Sequence, residues 1–165
     1  MKTAVVVMGV AGSGKTTIAM LLADRLGWMV AEADDFHPPA NVTKMASGVP
    51  LTDEDRQPWL VSIRDWIDAA PGSVLVTCSA LRRVYRDVLR QAHAQVRFLH
   101  LDGRPEVIGS RIGSRTGHFM PPTLLQSQLA TLEPLQPDED GIVVSVEGTP
   151  AEIGERAITA LGLEP

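Results

Sequence analysis

One junction near the front of the chain restricts the fold more than any other feature. Residues 4–8, AVVVM, are apolar without alternation and mostly β-branched, which suits a strand buried on both faces of a parallel sheet. They run straight into GVAGSGKT at 9–16. That octet opens a segment over 15–26 in which Ile18, Leu21, Leu22 and Leu26 follow the three-to-four spacing of one buried helix face. Strand, glycine-rich turn and amphipathic helix in direct succession satisfy G-x-x-x-x-G-K-[ST] in letters and in context. Gly9, Gly12 and Gly14 allow backbone angles and close approach that a Cβ would block. The N–H groups from Gly9, Val10, Ala11, Gly12, Ser13 and Gly14 on to Lys15, Thr16 and Thr17 can then turn inward around phosphate oxygens, backed by the positive end of the helix. Lys15 is placed to neutralise β- and γ-phosphates and the Thr16 hydroxyl to bind Mg2+, so the expected ligand is a nucleoside triphosphate with its metal.

Four further apolar runs, 28–31, 74–77, 96–101 and 142–146, alternate with helical patterns over 57–69, 81–92, 105–112, 122–132 and 151–161. Such alternation predicts a parallel five-stranded sheet with helices on both sides, a three-layer α/β/α fold. At 165 residues, 44% hydrophobic and 21% charged, the chain is expected to form one domain over 1–165 with a sizeable core. Fifteen Lys and Arg against 20 Asp and Glu leave a net charge of −5. That balance argues against nucleic acid held by a basic surface and requires any anion to be bound at a local site. No apolar run near the start approaches the roughly 20 residues that span a bilayer, and no leader pattern is visible. With a single cysteine, Cys78, these features predict no membrane association and a reducing, cytoplasmic setting. The four histidines (37, 93, 100 and 118) and Cys78 form no pair at metal-ligand spacing, so no structural metal is expected.

A loop for triphosphate does not name an acceptor. Residues 34–56 are polar and punctuated by Pro and Gly, with a short helix expected near 41–46, and a connection that long is usually functional. Asp34 and Asp35 fall at the end of the second strand, and ligands of open parallel sheets gather beyond the carboxyl ends of strands. A carboxylate there can accept the proton of an attacking hydroxyl, hold it in line, or help bind Mg2+. Asp34 is the candidate for these roles, and one of the pair is a candidate cap for the helix that follows. His37 stands beside the acids in a rigid turn with Pro38 and Pro39, a candidate substrate contact. Arg56 closes the run DEDR at 53–56, where it either pairs with its acidic neighbours or holds an anionic substrate with its fork. Arg82 and Arg86 follow the third strand closely enough to meet a carboxylate ligand, whereas Arg90 belongs to a solvated face with Asp87. Arg111 and Arg115, four apart ahead of Thr116-Gly117-His118-Phe119, suggest a lid over 111–120 that brings guanidiniums to the phosphates.

Together these blocks resemble the bacterial-type gluconokinases, P-loop kinases related to shikimate kinase. The likeness rests on GVAGSGKT, Asp34 with His37-Pro38, Asn41, Lys44-Met45, Gly48, Pro50-Leu51 and the run Asp53-x-Asp55-Arg56-x-Pro58-Trp59-Leu60. It continues through Cys78-Ser79-Ala80-Leu81, Tyr85-Arg86-Asp87, Arg111-x-x-x-Arg115-x-Gly117-His118-Phe119, and Gln128 with Leu132-Glu133-Pro134. The resemblance implies ATP-dependent phosphorylation of D-gluconate on its 6-hydroxyl. It implies that Asp34 orients or deprotonates that hydroxyl, and that Arg56 with Arg82 or Arg86 holds the sugar acid. It further implies that His37 and His118 contact the acceptor and that Arg111 and Arg115 lie in a closing lid. A substrate-binding segment over 37–60 and a homodimer are implied as well. Arg82 stands where Lys is common and Glu32 where Asp is common. A kinase for shikimate or a nucleoside monophosphate, and an ATP-dependent switch without acceptor chemistry, stay open as alternatives. An aromatic content of 4% disfavours a second stacked base, and Asp34 together with the arginine-bearing segment disfavours the switch.

Overall fold

A computed structural model describes residues 2–10, 12–103 and 122–163. Five strands, β1 (Thr3–Met8), β2 (Met29–Glu32), β3 (Val74–Thr77), β4 (Gln95–Asp102) and β5 (Gly141–Ser145), pair in parallel in the order β2-β3-β1-β4-β5. Each lies within one residue of the apolar run that predicts it. The described helices are α1 (Lys15–Leu26), α2 (Pro39–Ala46), α3 (Asp53–Ala69), α4 (Arg83–Leu89), α5 (Pro122–Thr131) and α6 (Pro150–Leu161). The helical pattern at 105–112 lies outside the described residues.

The central place of β1 explains its composition. Every side chain from Ala4 to Met8 is fully buried, and alternate residues serve different cores. Val5 and Val7 join Leu75, Leu99 and the buried faces of α1 and α6. Ala4, Val6 and Met8 join Phe98 and the buried faces of α3 and α4. Both faces of the sheet are therefore covered, in three layers, and each fully buried Val or Leu stabilises the fold by roughly 1.5–3 kcal/mol.

Helix starts depend on caps that apolar periodicity does not report. Trp59 begins the buried stripe of α3, so the pattern predicts a start near 57; the helix begins at Asp53. The Thr52 hydroxyl accepts the Asp55 N–H (3.1 Å) and the Asp55 carboxylate accepts the Thr52 N–H (2.9 Å), a reciprocal box that nucleates the extra turn. Asp53, Glu54 and Asp55 thereby fall in the first turn, against the positive end of the helix dipole. The far end of α3 is closed from outside the helix. Lys2 Nζ donates to the carbonyl oxygens of Ile67 (2.6 Å), Asp68 (3.0 Å) and Ala70 (2.7 Å). Among the described residues no helix is long and apolar enough to cross a membrane.

Candidate active site

The turn from β1 to α1 makes demands that only glycine meets. Gly9 has φ 147°, and a Cβ there would lie 2.8 Å from both Leu101 O and Ser13 Oγ. Gly12 and Gly14 have φ of 82° and 95°. Gly14 caps α1 without a side-chain bond, and the first turn carries no acid, so the positive end of the helix faces the loop unopposed by its own side chains. Ser13 Oγ is buried with no hydrogen-bond partner among the described residues, a polar atom that a phosphate oxygen would satisfy. Lys15 Nζ reaches back across the loop to the carbonyls of Gly9 (3.0 Å) and Val10 (3.1 Å). Thr16 and Thr17 are exposed at the start of α1, and Ala11 lies outside the described residues.

β2 ends at Glu32, and the chain enters a 3-10 turn, Ala33–Phe36. Asp34 and Asp35 thus stand on a helical turn beyond the strand, both exposed, and strand alternation does not separate them. What separates them is a groove of about 1100 Å³, which Asp34 lines and Asp35 does not. His37, Arg56 and Trp59 line it too, as do residues 79–82, Tyr85, and Ser127, Gln128 and Thr131 of α5. Lys15 and Asp34 both act electrostatically on the buried Cys78. Burial pushes that thiol up to about 12, with Lys15 opposing the shift and Asp34 adding to it.

His37 is held on two sides. It stacks on Trp59 with ring centroids 4.4 Å apart and planes 11° apart, and the Trp59 indole N–H donates to Ala33 O (2.6 Å). Asn41 Nδ2 lies 2.9 Å from Asp55 O and 3.2 Å from His37 Nδ1. A backbone carbonyl only accepts, so the Asn41 amide presents its NH2 group to both; Nδ1 is then the acceptor and the imidazole proton sits on Nε2. Burial lowers the His37 pKa below its ordinary 6.5, with Asp34 opposing and Arg56 assisting. The ring is therefore neutral at pH 7. An unfolded chain takes up this proton near 6.5 and the folded chain only at lower pH, so stability falls as pH drops below 6.5 through the folded value. An NMR titration of the ring is expected to give a midpoint below 6.5, with unfolding free energy declining on the acid side. A midpoint above 6.5 would contradict the neutral, singly protonated ring.

The arginines divide. Arg56 and Arg82 place their guanidinium carbons 5.3 and 5.8 Å from the centre of the Tyr85 ring. Arg56 Nη1 donates to Leu51 O (2.8 Å) and to the Tyr85 hydroxyl (3.2 Å), and that hydroxyl donates to Asp53 Oδ1 (2.6 Å). Arg82 pairs with the other oxygen of Asp53. The Tyr85 hydroxyl, followed by the Arg82 and Arg56 guanidiniums, holds the Asp53 carboxyl below the usual range, while burial and the bond to Asp53 push Tyr85 up. Two cations and one carboxylate leave this wall of the groove with a formal charge of +1.

Arg86 does not join them, contrary to its expected place at the substrate. It is fully buried, with Nε and Nη2 on the fully buried Glu139 (2.7 and 3.2 Å) and Nη1 on Ala80 O (2.9 Å). Its donors are engaged inside the protein. Glu139 is 53 residues away, so no local spacing reveals the pair. Arg90 meets Asp87 at 3.2 Å, as expected. Arg111, Arg115, His118 and the rest of 111–120 lie outside the described residues. Asp53, Tyr85, Trp59 and Asn41 are groove and support residues to which motif reading assigns no role. The signal that could have found them is their place in the blocks that carry the resemblance.

A parallel sheet ordered 2-3-1-4-5, with a glycine-rich phosphate loop after its central strand and a groove holding Asp34, Arg56 and Arg82 at its carboxyl edge, defines a small P-loop kinase. Comparison with known proteins narrows this. The family model described as shikimate kinase matches residues 11–158. The chain is 52% identical over 157 residues to a gluconokinase of Gluconobacter oxydans (strain 621H), covering 93% of this chain and 88% of that protein. A crystal structure of a sugar kinase from Janibacter sp. HTCC2649 superposes with a TM-score of 0.91 at 57% identity, over 100% of this chain and 97% of the other. A gluconokinase structure from Sinorhizobium meliloti 1021 does so with a TM-score of 0.88 at 44% identity, over 98% and 92%. The chain belongs to the gluconokinase family.

Proposed function

We propose that the protein transfers the γ-phosphoryl group of ATP to the 6-hydroxyl of D-gluconate, giving 6-phospho-D-gluconate. The observation that carries the acceptor is the groove wall of Arg56 and Arg82 around Tyr85, opposite in charge to one carboxylate and sharing its cavity with Asp34. A sugar acid offers an anion at one end and a primary alcohol at the other. A wall that binds the first leaves the second for Asp34, which positions the hydroxyl or accepts its proton. His37, with its N–H on Nε2, donates to an acceptor oxygen. The loop from Gly9 to Thr17 fits a triphosphate through its glycine angles, the buried Ser13 Oγ and the uncapped helix start. Thr16 and Asp34 are the residues to hold Mg2+, which when bound with the nucleotide neutralises phosphate charge. Among the described residues no cluster of three His, Cys, Asp or Glu could hold a metal, so the ion's remaining contacts would come from phosphate and water. The reading includes Arg111, Arg115 and His118 in a lid over 111–120, one domain over 1–165, a homodimer and a cytoplasmic setting, all carried by the family likeness and the composition.

An ADP-release assay with ATP and gluconate, shikimate, a nucleoside monophosphate or no acceptor tests the assignment. Gluconate alone is expected to stimulate release. Stimulation by shikimate or AMP instead would overturn the acceptor, and no stimulation by any would favour a switch. Asp34→Asn is expected to lower kcat about 100-fold with ATP binding largely retained, the scale of a lost acid–base group.

A further inference from the structure

We propose that the buried Arg86 is a positioning residue for the acceptor, acting through a strained turn at 79–81; this rests on reading the groove as the acceptor site. Ser79, Ala80, Leu81 and Arg82 form a continuous stretch of the groove lining. Within it Ala80 has φ 47°, the sole non-glycine residue with positive φ among those described. An L-residue keeps that conformation only where its surroundings over-determine it, and such sites concentrate where geometry is used.

Three successive carbonyls of this turn are anchored to three different parts of the fold. Ser79 O accepts the N–H of Gly9 at the start of the phosphate loop (3.3 Å), and Ala80 O accepts Arg86 Nη1 (2.9 Å). Leu81 O accepts the N–H of Glu133 (2.6 Å), just beyond α5. The Leu132-Glu133-Pro134 block is the counterpart of the clamp. The Glu133 carboxylate accepts the N–H of Arg83 (2.6 Å), and Pro134 O accepts Arg86 Nη2 (3.3 Å). Glu139 completes the set by holding the Arg86 guanidinium in plane. A buried ion pair is no better for stability than a well-packed apolar pair. A planar fork that reaches three carbonyls, of Ala80, Leu81 and Pro134, and a carboxylate at once does what an apolar residue or a lysine cannot. The result is a fixed path for the wall that carries Arg82, registered against the phosphate loop.

Ala80→Gly tests this while removing only one methyl from the groove lining and leaving every polar and charged side chain there in place. Glycine tolerates φ 47° freely but does not enforce it. The expected result is a rise of about tenfold in KM for whichever acceptor the wild type phosphorylates, the scale of a sub-ångström misplacement. The ATP KM and the thermal midpoint are expected to stay close to wild type. Arg86→Lys keeps a cation beside Glu139 but loses the fork. It is expected to show the same acceptor KM rise, with a lowered midpoint. A merely structural role would move the midpoint or the active fraction and leave both KM values alone; that result, or an equal rise in ATP KM, would overturn the proposal. Because the acceptor is chosen by wild-type turnover, failure of the gluconate assignment leaves this test standing.

Discussion

Replacing Lys15 with Ala is expected to lower kcat by about 1000-fold, the scale of losing one preorganised charge aimed at a transferring phosphoryl group. Lys15 opens α1 and sends its ammonium back over the phosphate loop to within 3.1 Å of the Gly9 and Val10 carbonyls. Ala is a strong helix former and leaves the capping Gly14 in place, so the helix persists and the loss is electrostatic. Single-turnover phosphoryl transfer at saturating nucleotide measures it directly, with circular dichroism to confirm the fold. A loss below tenfold would place the charge away from the reacting phosphate. Lys15→Arg should recover little, because a planar fork does not occupy the position of a compact ammonium.

Glu139→Ala is expected to cost about 3–5 kcal/mol of stability, since it leaves a buried guanidinium without its counter-charge. Glu139 and Arg86 side chains are both fully inaccessible, and Arg83 Nη1 also lies 3.2 Å from the same carboxylate. Against a total of roughly 5–15 kcal/mol for a domain of this kind, that loss brings the fold near its threshold. Urea unfolding checks it. A loss under about 1 kcal/mol would place the pair with exposed ion pairs such as Arg83 and Asp138, whose partners water can replace.

Much of the fold was legible because β1 is buried on both faces. A strand with no solvent face shows no alternation, and AVVVM beside a glycine octet has few other solutions. The ends of all five strands were readable to one residue, those of the partly exposed edge strands β2 and β5 included. Helix ends were less so, since α3 starts at a hydrogen-bonded box between Thr52 and Asp55 that leaves no apolar trace. In the candidate site, Asp34, His37, Arg56 and Arg82 come to one groove as motif and resemblance suggest. Arg86 does not, because spacing along a helix reports which residues share a face, not whether a partner 53 residues away draws one of them inside. Asp53 illustrates the converse. In the run DEDR it offers itself only as a neighbour for Arg56, yet the first turn of α3 sets it between two guanidiniums and a phenol.

The three bonds from Lys2 to the end of α3 have a consequence at the opposite end of that helix. Thr52 and Asp55 secure its beginning, and the ammonium grips its last carbonyls, so neither terminus is free to unravel. Arg56 and Trp59 therefore ride on a beam supported at both ends. Displacement of the Arg56 side of the groove is then a movement of the whole rod against the sheet, a stiff motion opposed by Leu60, Ile63 and Ile67 in the core.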